Sequence, residues 1–364
     1  MASTYLSRTA SGGSRTTWTI STWVKRGSLG SSLSSTIFNG IIDNSNETQL
    51  LFNNDSIEFY DYSSASRTGT LFTNAKYRDT SAWYHIVAVW DTTNATAGDR
   101  MRLYVNGVEE TSFATDTQPS SSQNSSLGNG TYTQQVGLYS ANSSYYFNGS
   151  MAHFHFIDGT AYDASAFGET DATTGIWKSK LSPSVTYGTN GFFLKFNEGA
   201  LGTDSSPNGN NFTVNGSLTP SKDTPDNVFA TLNPLYPYTS TGAFTNGNTA
   251  PSDYNGLQGI VGTLGVSSGK WYFEVKASST PLENMVGWGA RDNGAINFSG
   301  GEAYDYCRYL GYANYYNNSS ATAISGASAY SAGDICGCAL DLDGNKIYWY
   351  KNGCLLYTSP SPRD

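Results

Sequence analysis

WYHIVAVWD, Trp83–Asp91, and the nearby RMRLYVNGVEE, Arg100–Glu110, decide how this chain folds. The first is apolar at both alternating sets of positions, as a strand is when both faces of its sheet are covered. In the second, Met101, Leu103 and Val105 alternate with Arg102 and Tyr104. Asn106-Gly107 then supplies the pair of left-handed residues that a tight hairpin turn requires. The same period of two runs through Trp18–Trp23, through Phe192, Leu194 and Phe196, and through KWYFEVK (Lys270–Lys276), GCALDLDG (Gly337–Gly344) and KIYWYKNG (Lys346–Gly353). Only the short DASAFGE, Asp163–Glu169, carries a helical pattern. The expected class is all-β.

Composition narrows the function. The chain has 364 residues, enough for about two domains. Charged residues are 13%, half the usual ~25% share, and aromatics reach 14% with 26 Tyr, so the chain can build cores and is not disordered. A net charge of −9 argues against nucleic acid, whose phosphates need a basic face. No apolar run approaches the ~20 residues that cross a bilayer. The start, MASTYLSRTASGGSRTTW, lacks the apolar segment of a signal peptide, so sequons such as Asn46, Asn94, Asn142, Asn148 and Asn211 read as a product of composition.

Two stretches interrupt the strand pattern. Residues 115–131, TDTQPSSSQNSSLGNGT, read as a long exposed loop. Residues 216–250 carry Pro220, Pro225, Pro234 and Pro237 among Thr, Ser and Asn, and read as an inter-domain linker.

The first half, residues 1–215, resembles the concanavalin A-like lectin/laminin-G group. The resemblance rests on WTISTWVKR (Trp18–Arg26), WYHIVAVWD, RMRLYVNGVEE and QVGLYSANSSYYFNGSMAHFHFIDG (Gln135–Gly159), in the family's order. It implies a jelly-roll sandwich. The continuation FGETDATTGIW to DTPDNVFATLNPL is similar to a module of predicted virion proteins from marine tailed phages, implying a phage structural or tail-fibre protein on the virion surface. The second half, residues 251–353, resembles a SPRY domain through GVSSGKWYFEVK, VGWGARDNG and GDICGCALDLDGNKIYWYKNG. It implies a second sandwich in tandem. Residues 354–364, CLLYTSPSPRD, resemble a translated sequencing adapter. On that reading the chain stops near Gly353, the SPRY-like sandwich lacks its C-terminal strands, and Cys354 drops out. Cys307, Cys336 and Cys338 then remain, too few and too oddly spaced for a disulfide framework or a zinc site.

Chemistry-bearing motifs are sparse. Glu169-Thr170-Asp171 only approaches the acidic strand motif of the retaining glucanases of this fold and lacks a partner acid. Gly265-Val266-Ser267-Ser268-Gly269 matches a nucleophile elbow, but a strand follows where a helix is needed. His153 and His155 share one strand face; with Asp158 they would hold a metal, or else form a hydrogen-bonded pair on a polar sheet face. Calcium is the one candidate ion, at Asp204, Asn208 and Asn210. The turn that carries them, residues 204–211, is crowded with Asp, Ser and Asn and resembles a laminin-G-type loop; the alternative is a turn held by its own Asx bonds. Asp341-Leu342-Asp343-Gly344-Asn345 reads as a hairpin turn.

Recognition is therefore expected of loop aromatics. These are Tyr139, Tyr145 and Tyr146 in the first half, and Trp288, Tyr304, Tyr306, Tyr309, Tyr315 and Tyr316 in the second, where SPRY relatives bind protein partners with loops. Trp83, Trp90, Trp271 and Trp349 read as core. The expected function is non-enzymatic: a virion or tail-associated module gripping a host-surface glycan or protein. The alternative is a virion assembly protein that contacts only other virion proteins, and a polysaccharide-degrading enzyme comes third.

Overall fold

A computed structural model describes residues 4–30, 34–139, 145–237, 243–252, 260–278, 285–289, 305–309, 314–317, 320–323 and 329–360. No α-helix occurs among them; the helical signal at Asp163–Glu169 is a single 3₁₀ turn, Ala164–Ala166, capped by the Asp163 carboxylate on Ser165 N at 2.9 Å. The backbone separates into two compact units, Met1–Pro234 with Ala243–Ser252, and Leu235–Gly242 with Asp253–Asp364.

The first unit is a β-sandwich. Its larger sheet has eight strands in the order β10 (Phe113–Thr117), β6 (Ser66–Thr73), β5 (Ser56–Ser63), β4 (Asn46–Asn53), β3 (Ser34–Asp43), β11 (Thr131–Val136), β1 (Tyr5–Ser11), β16 (Thr213–Asn215). The smaller has six: β15 (Phe192–Leu194), β12 (Gly149–Asp158), β2 (Thr17–Arg26), β7 (Trp83–Asp91), β8 (Met101–Val105), β9 (Val108–Glu109). A two-stranded ribbon, β13 (Gly168–Thr170) with β14 (Trp177–Ser179), stands apart. The core lies between the two large sheets: Leu6, Phe38, Leu50 and Phe59 from one meet Trp18, Ile20, Ile86 and Phe154 from the other. Trp18 and Trp90, paired across β2 and β7, stack with 2° between their planes.

β7 is buried on both faces, as its sequence requires. Ile86, Ala88 and Trp90 enter the sandwich core, while Val87 and Val89 form a second core with Ala164, Phe167 and Tyr187 from the segment after β12. The Asn106-Gly107 turn has φ of 49° and 84°, as a tight hairpin needs. A β-carbon on Gly107 would also stand 2.6 Å from the Trp177 ring, so the covering segment requires glycine there as well.

Two expectations about loops change. Residues 115–131 are exposed over most of their length but not a free loop: Phe113–Thr117 is strand, and Ser125, Ser126 and Leu127 are buried. Ser125 Oγ accepts from Trp18 Nε1 at 3.0 Å, Ser126 N donates to Asp61 at 2.8 Å, and Leu127 joins the core over Gly40, where any β-carbon would collide with it. The polar composition that suggests solvent is used to pair polar groups inside. In the stretch read as a linker, residues 223–229 are fastened to the first unit. Lys25 Nζ lies 2.8 Å from the Asp223 carboxylate with both side chains under a tenth exposed, and donates to Phe229 O at 3.0 Å.

The second unit has two four-stranded sheets. One runs Lys270–Lys276, Ile335–Asp341, Lys346–Lys351, Cys354–Pro360, and the other Met285–Gly289, Asp305–Tyr309, Asn314–Asn317, Ser320–Ala323. Tyr330, Cys336, Cys338, Ile347 and Trp349 form its core, with Phe273, Val286 and Trp288 packed alongside. Residues 354–360, set aside on sequence grounds, pair here with Lys346–Lys351. Trp271, read as core, is instead 44% exposed.

Candidate functional site

Strand alternation makes the two faces of the eight-stranded sheet opposites. One row of directly paired residues, Leu71, Phe59, Leu50, Phe38, Val136 and Leu6, is apolar and faces the core. The neighbouring row, one residue along, turns to the other face: Thr117, Thr70, Tyr60, Gln49, Asn39, Gln135, Ser7 and Thr213 cross all eight strands. Every member carries a hydrogen-bonding side chain. Glu47, two residues from Gln49 on β4, shares this face.

The centre of the row is buried and incompletely bonded. Asn39 is fully buried, Gln49 2% and Glu47 4% exposed. Asn39 Nδ2 donates to Gln135 Oε1 at 3.3 Å while Asn39 Oδ1 has no partner at hydrogen-bond geometry, and the Gln49 amide lies against the Glu47 carboxylate. Tyr60 and Tyr139 both donate to Glu47 Oε1, at 2.9 and 3.4 Å. Burial raises the Glu47 pKa above the ordinary carboxylate range, although Tyr60, the Gln49 amide, Tyr139 and Arg67 all favour its charged form; burial also lifts the Tyr139 hydroxyl to about 12. Arg67 lies over the Tyr60 ring at 4.2 Å and pairs with Glu58 at 2.6 Å. The second Glu58 oxygen accepts from Asn53 at 2.8 Å, so this carboxylate is committed.

The expected loop tyrosines meet this face. Tyr139 follows β11 yet reaches Glu47 on β4, and stacks on Tyr145 with centroids 6.1 Å apart and 9° between planes. Tyr146 turns aside to Tyr5, at 6.3 Å. The row itself escapes sequence reading because cross-strand register is not visible in a linear string. The usable signal is the alternation Glu47, Gln49 against Leu50 and Phe52 in NETQLLFN.

The other expected sites lie apart from this face. Asp204 Oδ1 accepts from Phe193 N and Ser206 N, both at 2.8 Å, and Oδ2 from Ser206 Oγ at 2.8 Å and Asn210 N at 2.7 Å. Asn210 Oδ1 accepts from Arg8 at 2.8 Å, and the Asn208 amide donates to Gly188 O and Gly191 O. Asp204 and Asn210 turn oxygens to N–H and O–H donors, and the Asn208 amide holds the neighbouring backbone.

The histidines are corrected in surroundings. A bulge between Ala152 and His155 places His153 at φ 49°, and the face that it and His155 occupy is covered. His155 bonds Tyr187 Oη at 2.9 Å and stacks on Phe193 at 3.9 Å. His85 joins them, bonded to Ser21 Oγ at 2.9 Å and, through Nδ1, to Trp177 Nε1 at 3.0 Å. No group of three metal-ligating side chains occurs among the described residues. Glu169 and Asp171 share Lys178 at 3.5 and 3.2 Å; hydrogen bonds from Thr174 N, Thr173 N and Lys178 hold Asp171 well below the ordinary range, unfit for a general acid.

In the second unit the expected loop positions fall on strands. Trp288 packs on Phe273 at 5.2 Å, its Nε1 buried without a partner, and so belongs to the edge of the core. Tyr306 and Tyr309 lie on Asp305–Tyr309, Tyr315 and Tyr316 on Asn314–Asn317. Tyr304 is outside the described residues.

Family models match parts of both units. Residues 2–165 match the concanavalin A-like lectin/glucanases superfamily. Residues 270–362 match the SPRY domain. No curated protein matches the chain. Among solved structures, the heptameric SAP-like pentraxin of Limulus polyphemus is 15% identical over 52% of this chain and 88% of its own, with a TM-score of 0.36. Domains LG4-5 of the mouse laminin alpha1 chain are 11% identical over 98% of this chain and 75% of theirs, at 0.33. Domain 4 of an extracellular arabinanase from Geobacillus stearothermophilus, solved with arabinotriose, is 17% identical over 40% of this chain and 64% of its own, at 0.29. The polar row, Glu47 and Tyr139 all fall inside the concanavalin A-like match except Thr213.

Proposed function

We propose that the chain is a non-enzymatic binding protein of a phage virion or tail, which grips a host-surface glycan or protein with the outward face of its eight-stranded sheet. The observation that carries the reading is the polar row that crosses the eight strands, with Tyr139 and Tyr145 stacked beside its buried centre. Amide and carboxylate groups address hydroxyls, while tyrosine faces take the apolar C–H side of a sugar ring. Preset polar groups of this kind contribute specificity, because a ligand that fails to pair them leaves them buried and unmet. The virion placement rests on the resemblance of residues 167–235 to a module of predicted virion proteins from marine tailed phages. Against catalysis stand the commitment of Glu58 to Arg67 and Asn53 and the depressed Asp171.

The test is a glycan array with the full chain, with and without EDTA, alongside Asn39→Ala and Gln49→Ala. We expect binding that survives EDTA and falls at least tenfold in both variants. Wild-type binding in the variants overturns the site. Binding to virion proteins alone favours the assembly role, and release of reducing sugar from a polysaccharide favours the enzyme.

A further inference from the structure

The sheet of the second unit that carries Trp349 inward has a different outer side. Across it, Tyr272, Ala339 and Tyr348 are directly paired, so two tyrosines flank one small residue on the central strand. Two positions along, Glu274 and Tyr350 flank Gly337 in the same way. Strands lie about 4.8 Å apart, so Tyr272 and Tyr348 spring from backbones roughly 10 Å apart on either side of Ala339. The result is a shallow cleft of about 300 Å³ lined by Lys270, Tyr272, Ala339, Asp341, Tyr348 and Tyr350.

Its aromatic wall is set in advance. Tyr272 is 52% exposed, yet its hydroxyl donates to Glu274 at 2.8 Å and its ring meets Tyr350 edge-on, centroids 6.0 Å apart at 83°. Any β-carbon at position 337 would collide with the Tyr272 hydroxyl, so the ring uses the space that glycine leaves. An exposed tyrosine fixed by three neighbours loses little freedom when something stacks on it, which favours binding. At one end Lys270 Nζ and Asp341 stand 2.9 Å apart, the lysine three-quarters exposed, offering a donor and an acceptor side by side.

We propose that this cleft binds a neutral carbohydrate, one sugar ring seated on Ala339 between Tyr272 and Tyr348 with its hydroxyls toward Lys270 and Asp341. The volume suits one or two sugar residues, and an adjacent donor and acceptor suit a hydroxyl, which is both. A chain of net charge −9 disfavours acidic polymers. An extended peptide would need main-chain partners, and the central strand's are already spent on both neighbours. The site is distinct from the polar row of the first unit.

Affinity electrophoresis of the full chain through gels containing a mixed-linkage β-glucan, a xylan, a galactomannan or a soluble α-glucan tests the proposal. We expect at least one polysaccharide to retard the chain. Tyr272→Ala and Tyr348→Ala should each weaken that retardation tenfold or more. Ala339→Leu, which keeps both rings and fills the floor, should do the same, and the three variants should melt within a few degrees of wild type. Retardation by none of the four, unchanged retardation in the variants, or binding of a proline-rich peptide in place of sugar would overturn it. Asn39→Ala separates the two sites: loss in the tyrosine variants but not there supports this cleft while removing the polar row, and the reverse removes the cleft.

Discussion

A single carboxylate shows how the same residue types serve an ion or a turn. Asp204 has the company expected of a calcium ligand, but four donors already converge on its two oxygens. A cation would have to compete with these backbone N–H groups for the same oxygens, which costs more than a surface loop usually recovers. Asp204→Asn should therefore cost on the order of 2–3 kcal/mol, because an amide offers one oxygen where two are used and turns N–H toward N–H. A thermal melt should fall by roughly 5–10 °C. Wild-type protein should melt within about 1 °C in excess EDTA or millimolar calcium; a clear calcium-dependent rise would restore the metal reading.

At the scale of elements, the segment that follows β12 is fastened to the six-stranded sheet through neutral histidines. His85 Nδ1 accepts from Trp177, so a proton there would set donor against donor; His155 holds Tyr187, and His153, Lys195 and Asp226 are the charged or titratable groups nearby. Burial lowers the His85 pKa to about 3 from an ordinary 6.5, with His153 adding to it. The unfolded chain takes up the proton first, so stability is whole above about pH 6.5 and drains away as pH falls toward 3. At pH 4.5 His85 alone should cost roughly 2–3 kcal/mol, at about 1.4 kcal/mol per unit. Urea melts at pH 7.5 and 4.5 measure it, and His85→Gln, which can still accept from Trp177, should flatten the difference; an equal loss in that variant would assign the effect elsewhere. The strands beneath were legible from alternation alone, Trp83–Asp91 above all. The covering was not, since Trp177 and Tyr187 sit in stretches with no period and find their partners only through tertiary packing. The polar row was half legible: Tyr139 and Tyr145 stood out by type, whereas Asn39, Gln49 and Gln135 become one feature only through pairing between strands distant in sequence.

For the molecule as a whole, the question is where the first unit ends. Pro220, Pro225 and Pro234 mark a chain that composition reads as a tether. A segment poor in strands can still be held by side chains, and here Asp223 accepts from Lys25 at 2.8 Å, from Trp83 Nε1 at 3.1 Å and from Phe229 N at 3.2 Å, while Ser179 donates to Asp226 at 2.8 Å. Lys25 is 4% exposed, so removing Asp223 leaves a buried ammonium without its counter-charge. Breaking such a pair from one side costs about 3–5 kcal/mol, far more than the pair itself contributes over an apolar substitute. A fragment ending at residue 215 should consequently melt well below one ending at residue 234, and Asp223→Ala in the full chain should reproduce most of that loss. Lys25→Met with Asp223→Leu should recover much of it, because the site is then apolar on both sides. Equal melting of the two fragments would return residues 216–234 to the role of a tether and leave Lys25 to find water by local opening.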